Sequence, residues 1–198
     1  ESLTVTNNVS VENITVAGIE VTLSQGNIWY VAVNGDNTNR GSAPQGRLAT
    51  IKYALSRAQA GDTVLIAAGD YEEQFPLEVP AGVTVKGQDM RNVEIRPTTD
   101  NQSEDCFLLN GESTVEDLTV KDFFYDSVGD TGYAFRFANN ISVTTRSPYI
   151  RNITVITAGS VTTAEDPRGF NQGDAGRGVL ADGSVANASS REASMLFH

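Results

Sequence analysis

A short unit recurs along this chain: an aliphatic residue, then Thr or Ser (once Glu), then a second aliphatic residue. It stands at Leu3-Thr4-Val5, Val9-Ser10-Val11 and Ile14-Thr15-Val16. It returns at Val83-Thr84-Val85, Val93-Glu94-Ile95, Leu118-Thr119-Val120, Ile141-Ser142-Val143 and Ile153-Thr154-Val155. Extended chain alternates its side chains, so each unit turns two aliphatic groups one way and one polar group the other. Gly82, Asn140 and Asn152 precede three of the units and tolerate the left-handed backbone of a sharp corner. Val93 and Leu118 are 25 positions apart, Leu118 and Ile141 23. One short strand cannot bury its own inner face, whereas strands returning every twenty-odd residues can stack into a β-solenoid. A β-sandwich uses equally short strands; the spacing favours the solenoid and leaves the sandwich open.

The first residues follow another rhythm. Leu3, Val9, Ile14 and Ile19 recur every five or six positions, too short for a solenoid coil and suited to strands zigzagging in a thin fibre intertwined with other chains. This places a boundary near Gly26: residues 1–26 as a fibrous β leader, 27–198 as the main domain. Over Leu48–Ala58 the spacing predicts one amphipathic helix, with Ile51, Ala54, Leu55 and Ala58 on one face and Gly61 as its stop. A lone helix before the first strands is expected to cover the open end of the core.

The chain carries a net charge of −11 over 198 residues. Such an acidic surface repels nucleic acid and anionic membranes, so neither is an expected partner. No apolar run approaches the ~20 residues needed to span a bilayer. Cys106 is the only cysteine, which excludes an internal disulfide and leaves stability to the core. The chain starts at Glu1 and ends in the apolar run Met195-Leu196-Phe197-His198, so both ends are expected to be fragment or processing boundaries.

Trp29-Tyr30-Val31, Asn34-Gly35-Asp36, Ala49-Thr50-Ile51, Ala60-Gly61-Asp62-Thr63-Val64, Ala68-Gly69-Asp70-Tyr71 and Pro80-Ala81-Gly82-Val83-Thr84-Val85-Lys86-Gly87 follow in order. The series, with the region to about residue 160, resembles the N-terminal cap and first coils of the pectin-lyase-like right-handed parallel β-helices. The resemblance implies an all-β fold, a right-handed parallel β-helix with one capping α-helix. A narrower resemblance rests on Ser147-Pro148-Tyr149-Ile150-Arg151-Asn152, Asp166-Pro167-Arg168-Gly169-Phe170, Gly173-Asp174-Ala175-Gly176-Arg177-Gly178 and Ala181-Asp182-Gly183-Ser184. It is similar to β-helical virion structural proteins of marine cyanobacterial phages. That implies a tail-fibre or spike-like appendage outside the cell, a homotrimer touching other virion proteins and a host-surface glycan.

Polysaccharide lyases and hydrolases of this fold work on the outside of a parallel sheet, and a hydrolase needs two carboxylates ~5–10 Å apart. Asp166, Asp174, Arg177 and Asp182 are the candidate catalytic cluster; the bland reading is a solvated, glycine-rich loop. No catalytic motif of the family can be placed residue by residue. His198 is the only histidine and neither HExxH nor CxxC occurs, so no cofactor or zinc is indicated. Asn34 and Asp36 are candidate calcium ligands through hard oxygens, against a loop held by its own hydrogen bonds. Phe123, Phe124, Tyr125 and Tyr133 are candidate glycan-stacking residues, against core packing beside Leu118, Val120 and Phe135. Asn13, Asn140 and Asn152 head glycosylation sequons but read as corner residues. The leading expectation is a phage virion structural protein in assembly and host attachment. A β-helical polysaccharide lyase or glycoside hydrolase, and a bacterial surface adhesin, are the alternatives.

Overall fold

The computed structural model describes residues 26–126, 128–138 and 146–157, with the backbone of three short strands at 14–16, 19–21 and 177–180. The fold is mostly β with one short helix. In chain order the elements are β1 (Ile14–Val16), β2 (Ile19–Val21), β3 (Ile28–Val31), α1 (Ile51–Arg57), β4 (Thr63–Ile66), β5 (Gly69–Glu73) and β6 (Leu77–Val79). They continue with β7 (Thr84–Gly87), β8 (Val93–Pro97), β9 (Phe107–Leu109), β10 (Thr114–Phe123), β11 (Tyr133–Phe137), β12 (Tyr149–Thr157) and β13 (Arg177–Leu180). β1 and β2 form an antiparallel pair; Leu3 and Val9 of the expected leader lie outside the described residues. All other paired strands run parallel.

The chain returns to three stacked columns. Trp29, Val64, Val85, Val115 and Ile150 share one register row, through β3, β4, β7, β10 and β12. Tyr71, Ile95, Val120 and Val155 share a second. Leu77, Phe107, Phe135 and Val179 share a third, through β6, β9, β11 and β13. Strand β10 serves two columns: Thr114–Glu116 pair with β7, and Thr119 and Val120 pair with β8. Between them Asp117 takes a left-handed φ of 60°, and Asn152 repeats that corner in β12 at φ 50°.

Alternation along these strands sends Val64, Ile66, Val85, Val93, Ile95, Leu118 and Val120 into one core, all fully buried. Phe107 and Phe135 stack there, ring centroids 5.5 Å apart, worth about 0.5–1.5 kcal/mol beyond their buried area. Two expectations need correction. The register partner of Leu118 is Ile153, not Ile141; the chain first leaves to build β11, and Ile141–Val143 lie outside the described residues. Val155, expected inside, is 37% exposed.

Helix α1 is seven residues long. The Tyr53 N–H donates to Oγ1 of its N-cap Thr50, and the Ile51 and Lys52 N–H groups donate to the buried Glu73 carboxylate. These bonds satisfy donors that a helix start leaves unpaired. Burial pushes the Glu73 carboxyl up, more than its N–H bonds pull it down. As the spacing predicts, Ile51, Ala54, Leu55 and Ala58 are all buried, against β3, β4 and β6.

Both free strand edges beside the helix are blunted. Tyr30 and Ala32 of the β3 edge bond the backbone of Gly41 and Leu48. In β6, Leu77 and Val79 address β9, so positions 76, 78 and 80 point to the open side. Pro76 and Pro80 carry no N–H for an incoming strand to use. Behind the helix, buried Asp62 accepts from Trp29 Nε1 at 2.8 Å and from the backbone N–H groups of Asn27 and Gln59. Its burial raises the carboxyl, but these bonds prevail and hold it below the usual range.

Candidate functional site: a charged ladder on the outer face

The positions between core residues point outward, and on three successive strands of one column they are Lys86, Glu116 and Arg151 in one register row. The Glu116 side chain is only 7% exposed and sits between the two cations, paired with both. Lys86 Nζ also lies 2.9 Å from Asp117 Oδ2, and Asn152 Nδ2 donates to Asp117 Oδ1 at 2.8 Å. Around the corner, Lys121 pairs with Glu94 and Asp70, and Arg96 reaches Asp70 at 3.3 Å and Glu72 at 3.1 Å.

Electrostatics decide what this ladder can do. Burial pushes Glu116 up, but hydrogen bonds from Arg151 and Lys86 outweigh it and hold the carboxyl below the usual range. Asn152 and then Lys86 lower Asp117. Glu116 and Asp117 raise Lys86, and Glu94 chiefly raises Lys121. Proton transfer works best with groups that titrate near the operating pH. Here Glu116 and Asp117 are driven toward full ionisation and Lys86 and Lys121 toward full protonation. The arrangement joins neighbouring strands through charge-assisted bonds.

A second cluster forms at the mouth of β11. Arg136 pairs with Asp105 and donates to the Asp130 carbonyl. The Tyr125 and Tyr133 hydroxyls both donate to Asp130 Oδ1 at 2.9 Å, with the rings edge to face. Of the candidate sugar-stacking residues, Phe123 is fully buried, Tyr125 and Tyr133 are buried, and Phe124 is half-buried. Core packing takes Phe123 and the shared carboxylate takes the hydroxyls of the two tyrosines.

Asp36 accepts from both the N–H and the hydroxyl of Thr38, which lower its carboxyl. Neighbouring Asn37 accepts from the Ala49 and Thr50 N–H groups, and Asn39 donates to the Arg47 carbonyl. Asn34 is exposed. Loop bonding thus accounts for Asp36, and among the described residues no group of three or more His, Cys, Asp or Glu could hold a metal. Asp166, Asp174 and Asp182 lie outside the described residues. Arg177 starts β13 with its backbone opposite Tyr133. Burial pushes the Cys106 thiol well up, the behaviour of a packed hydrophobe. Asn152, in a sequon, spends its amide on Asp117. No described helix is long and apolar enough to cross a membrane.

Lys86, Glu116, Asp117 and Arg151 were not singled out from sequence. Their signal was present: Lys86, Glu116 and Arg151 each directly follow a buried aliphatic residue, in Val85-Lys86-Gly87, Val115-Glu116-Asp117 and Ile150-Arg151-Asn152. Residues 33–155, well over half of the chain, match a family described as protein of unknown function (DUF1565). No curated protein and no solved structure matches.

Proposed function

The chain belongs to the DUF1565 family, and from that premise we propose that it is the capped start of a right-handed parallel β-helix serving as a rigid structural element. The family's association with pectin-lyase-like folds supports this, as do three parallel columns under one capping helix. In this reading it belongs to a virion appendage of the tail-fibre or spike kind, assembles as a homotrimer and contacts other virion proteins and the host surface. The Lys86–Glu116–Arg151 ladder carries the structural part of the reading. Outward charges that a depolymerase would present to substrate are spent on neighbouring strands. The test is the solution mass of the intact chain, with an assay of product release from host-surface and pectin-like polysaccharides. A trimer without product release is expected; a monomer would remove the assembly argument.

One observation favours a second reading, a polysaccharide lyase or hydrolase: basic Lys86 and Arg151 stand beside Glu116 and Asp117 on one sheet face. Unsaturated or reducing-end products, abolished by Glu116→Gln or Asp117→Asn, would establish it.

A further inference from the structure

A cleft of about 220 Å³ opens between the segment ahead of Leu48 and the outer side of β3 and β4. Tyr30, Pro44, Arg47, Leu65, Ala67 and Gln88 line it, and no carboxylate does. Arg47 is half-buried there. The strand cations Lys86, Arg96, Lys121, Arg136 and Arg151 are in ion pairs, and Arg57 of α1 lies over the Trp29 ring at 4.6 Å. The Arg47 guanidinium has no ion pair or hydrogen bond among the described residues, in a chain with 25 acidic residues against 14 basic ones.

The backbone at Arg47 is also held in place. Its carbonyl accepts from the Asp36 N–H and from Asn39 Nδ2, and the adjoining Leu48 is bonded to Tyr30 of β3 and to Ala32 just after it. Gln88 uses its Oε1 on the Ala68 N–H, which leaves its NH₂ to donate, and the Tyr30 hydroxyl has no partner among the described residues. Three donors therefore surround an apolar floor with no acceptor of opposite charge. A carboxylate suits the guanidinium fork, accepting two parallel N–H bonds. The volume is below the ~300–1,000 Å³ typical of drug-sized ligands, which restricts the occupant to roughly a single ring.

We propose that the cleft at Arg47 binds a single-ring carboxylate, its acid group on the guanidinium and its ring against Tyr30, Pro44 and Leu65. Two sources share this chemistry: a free aromatic or alicyclic acid, and an acidic sugar at the end of a glycan. The inference stands independently of the appendage reading. The experiment is a titration of the full chain by amide NMR with benzoate, methyl glucuronoside and the neutral benzyl alcohol. Saturable shifts at Leu65, Ala67 and Gln88 are expected with at least one of the two acids and not with the alcohol. Benzoate alone assigns a free acid, and the glucuronoside alone assigns a glycan end. Arg47→Ala should weaken the response about tenfold or more. Arg47→Lys, which keeps the charge and loses the fork, should fall between. An unchanged amide spectrum away from the cleft reports that each variant is folded. Absence of saturable shifts, an equal response to benzyl alcohol, or undiminished binding by a folded Arg47→Ala variant would each overturn the proposal.

Discussion

Asn152 donates its side-chain amide to the Asp117 carboxylate at 2.8 Å, and both residues hold left-handed backbone at the same corner of neighbouring strands. A β-branched residue at such a φ costs about 1–2 kcal/mol, and the lost bond adds about 0.5–1.5 kcal/mol. Asn152→Val should lose about 2–3 kcal/mol in urea unfolding. Asn152→Gly, free to adopt the corner, should lose about 1 kcal/mol or less. Equal losses would contradict this account of the corner.

Leu55 is 3% exposed on the inner face of α1. Leu55→Ala should cost about 2–5 kcal/mol, as large-to-small core changes do. Val128→Ala, at a residue 95% exposed, should stay within about 0.5 kcal/mol. Thermal unfolding of the two variants side by side checks whether the helix closes the core.

The ladder should make stability fall in acid. Folding lowers the Glu116 pKa from its ordinary 4.5, so its stabilisation is complete above that value and is lost as pH drops through the lower folded one. Glu116→Gln should flatten the acid limb and cost about 1–2 kcal/mol at neutral pH, a modest figure because Lys86 and Arg151 remain partly solvated. Urea midpoints measured from pH 2 to 8 read both effects. An unchanged acid limb would mean that the ladder is not coupled to folding.

Glu73 should act with the opposite sign. Burial raises its folded pKa above 4.5, so between those two values the folded protein binds more protons than the unfolded one, and stability falls as pH rises. Glu73→Gln should remove that decline. The same urea series shows it as a flatter profile from about pH 4.5 upward, and a steeper one would contradict the assignment.

Helix α1 and the inward aliphatic rows were legible because each depends on local periodicity. Ile51, Ala54, Leu55 and Ala58 repeat at helical spacing, and Val93 and Leu118 do fall in one row, since Glu94 faces Thr119. The partner of Leu118 was not legible. Nothing local distinguishes Ile141 from Ile153, and the choice depends on the length of the excursion that forms β11. The ladder was overlooked for a related reason: a single charged residue between two aliphatics looks like ordinary solvated surface. Only the register reveals that Lys86, Glu116 and Arg151 stand side by side. The aromatic run from Phe123 to Tyr125 was ambiguous, because the same residue types serve a core and a sugar platform; burial places Phe123 in the core and leaves Phe124 half-buried.

The blunted edges at β3 and β6 lie at the end of the fold that is synthesised first. By the time β7 emerges, the helix, the Gly41 and Leu48 bonds and the two prolines belong to chain already made, and β4 offers it a single exposed edge. Each later strand then docks on one completed a few tens of residues earlier, as β10 docks on β7 and β12 on β10. Closing loops of that length adds little extra entropy from one step to the next. The order of translation can therefore serve as the order of folding, with β3, α1 and β4 as the template on which the later strands are laid down in one direction.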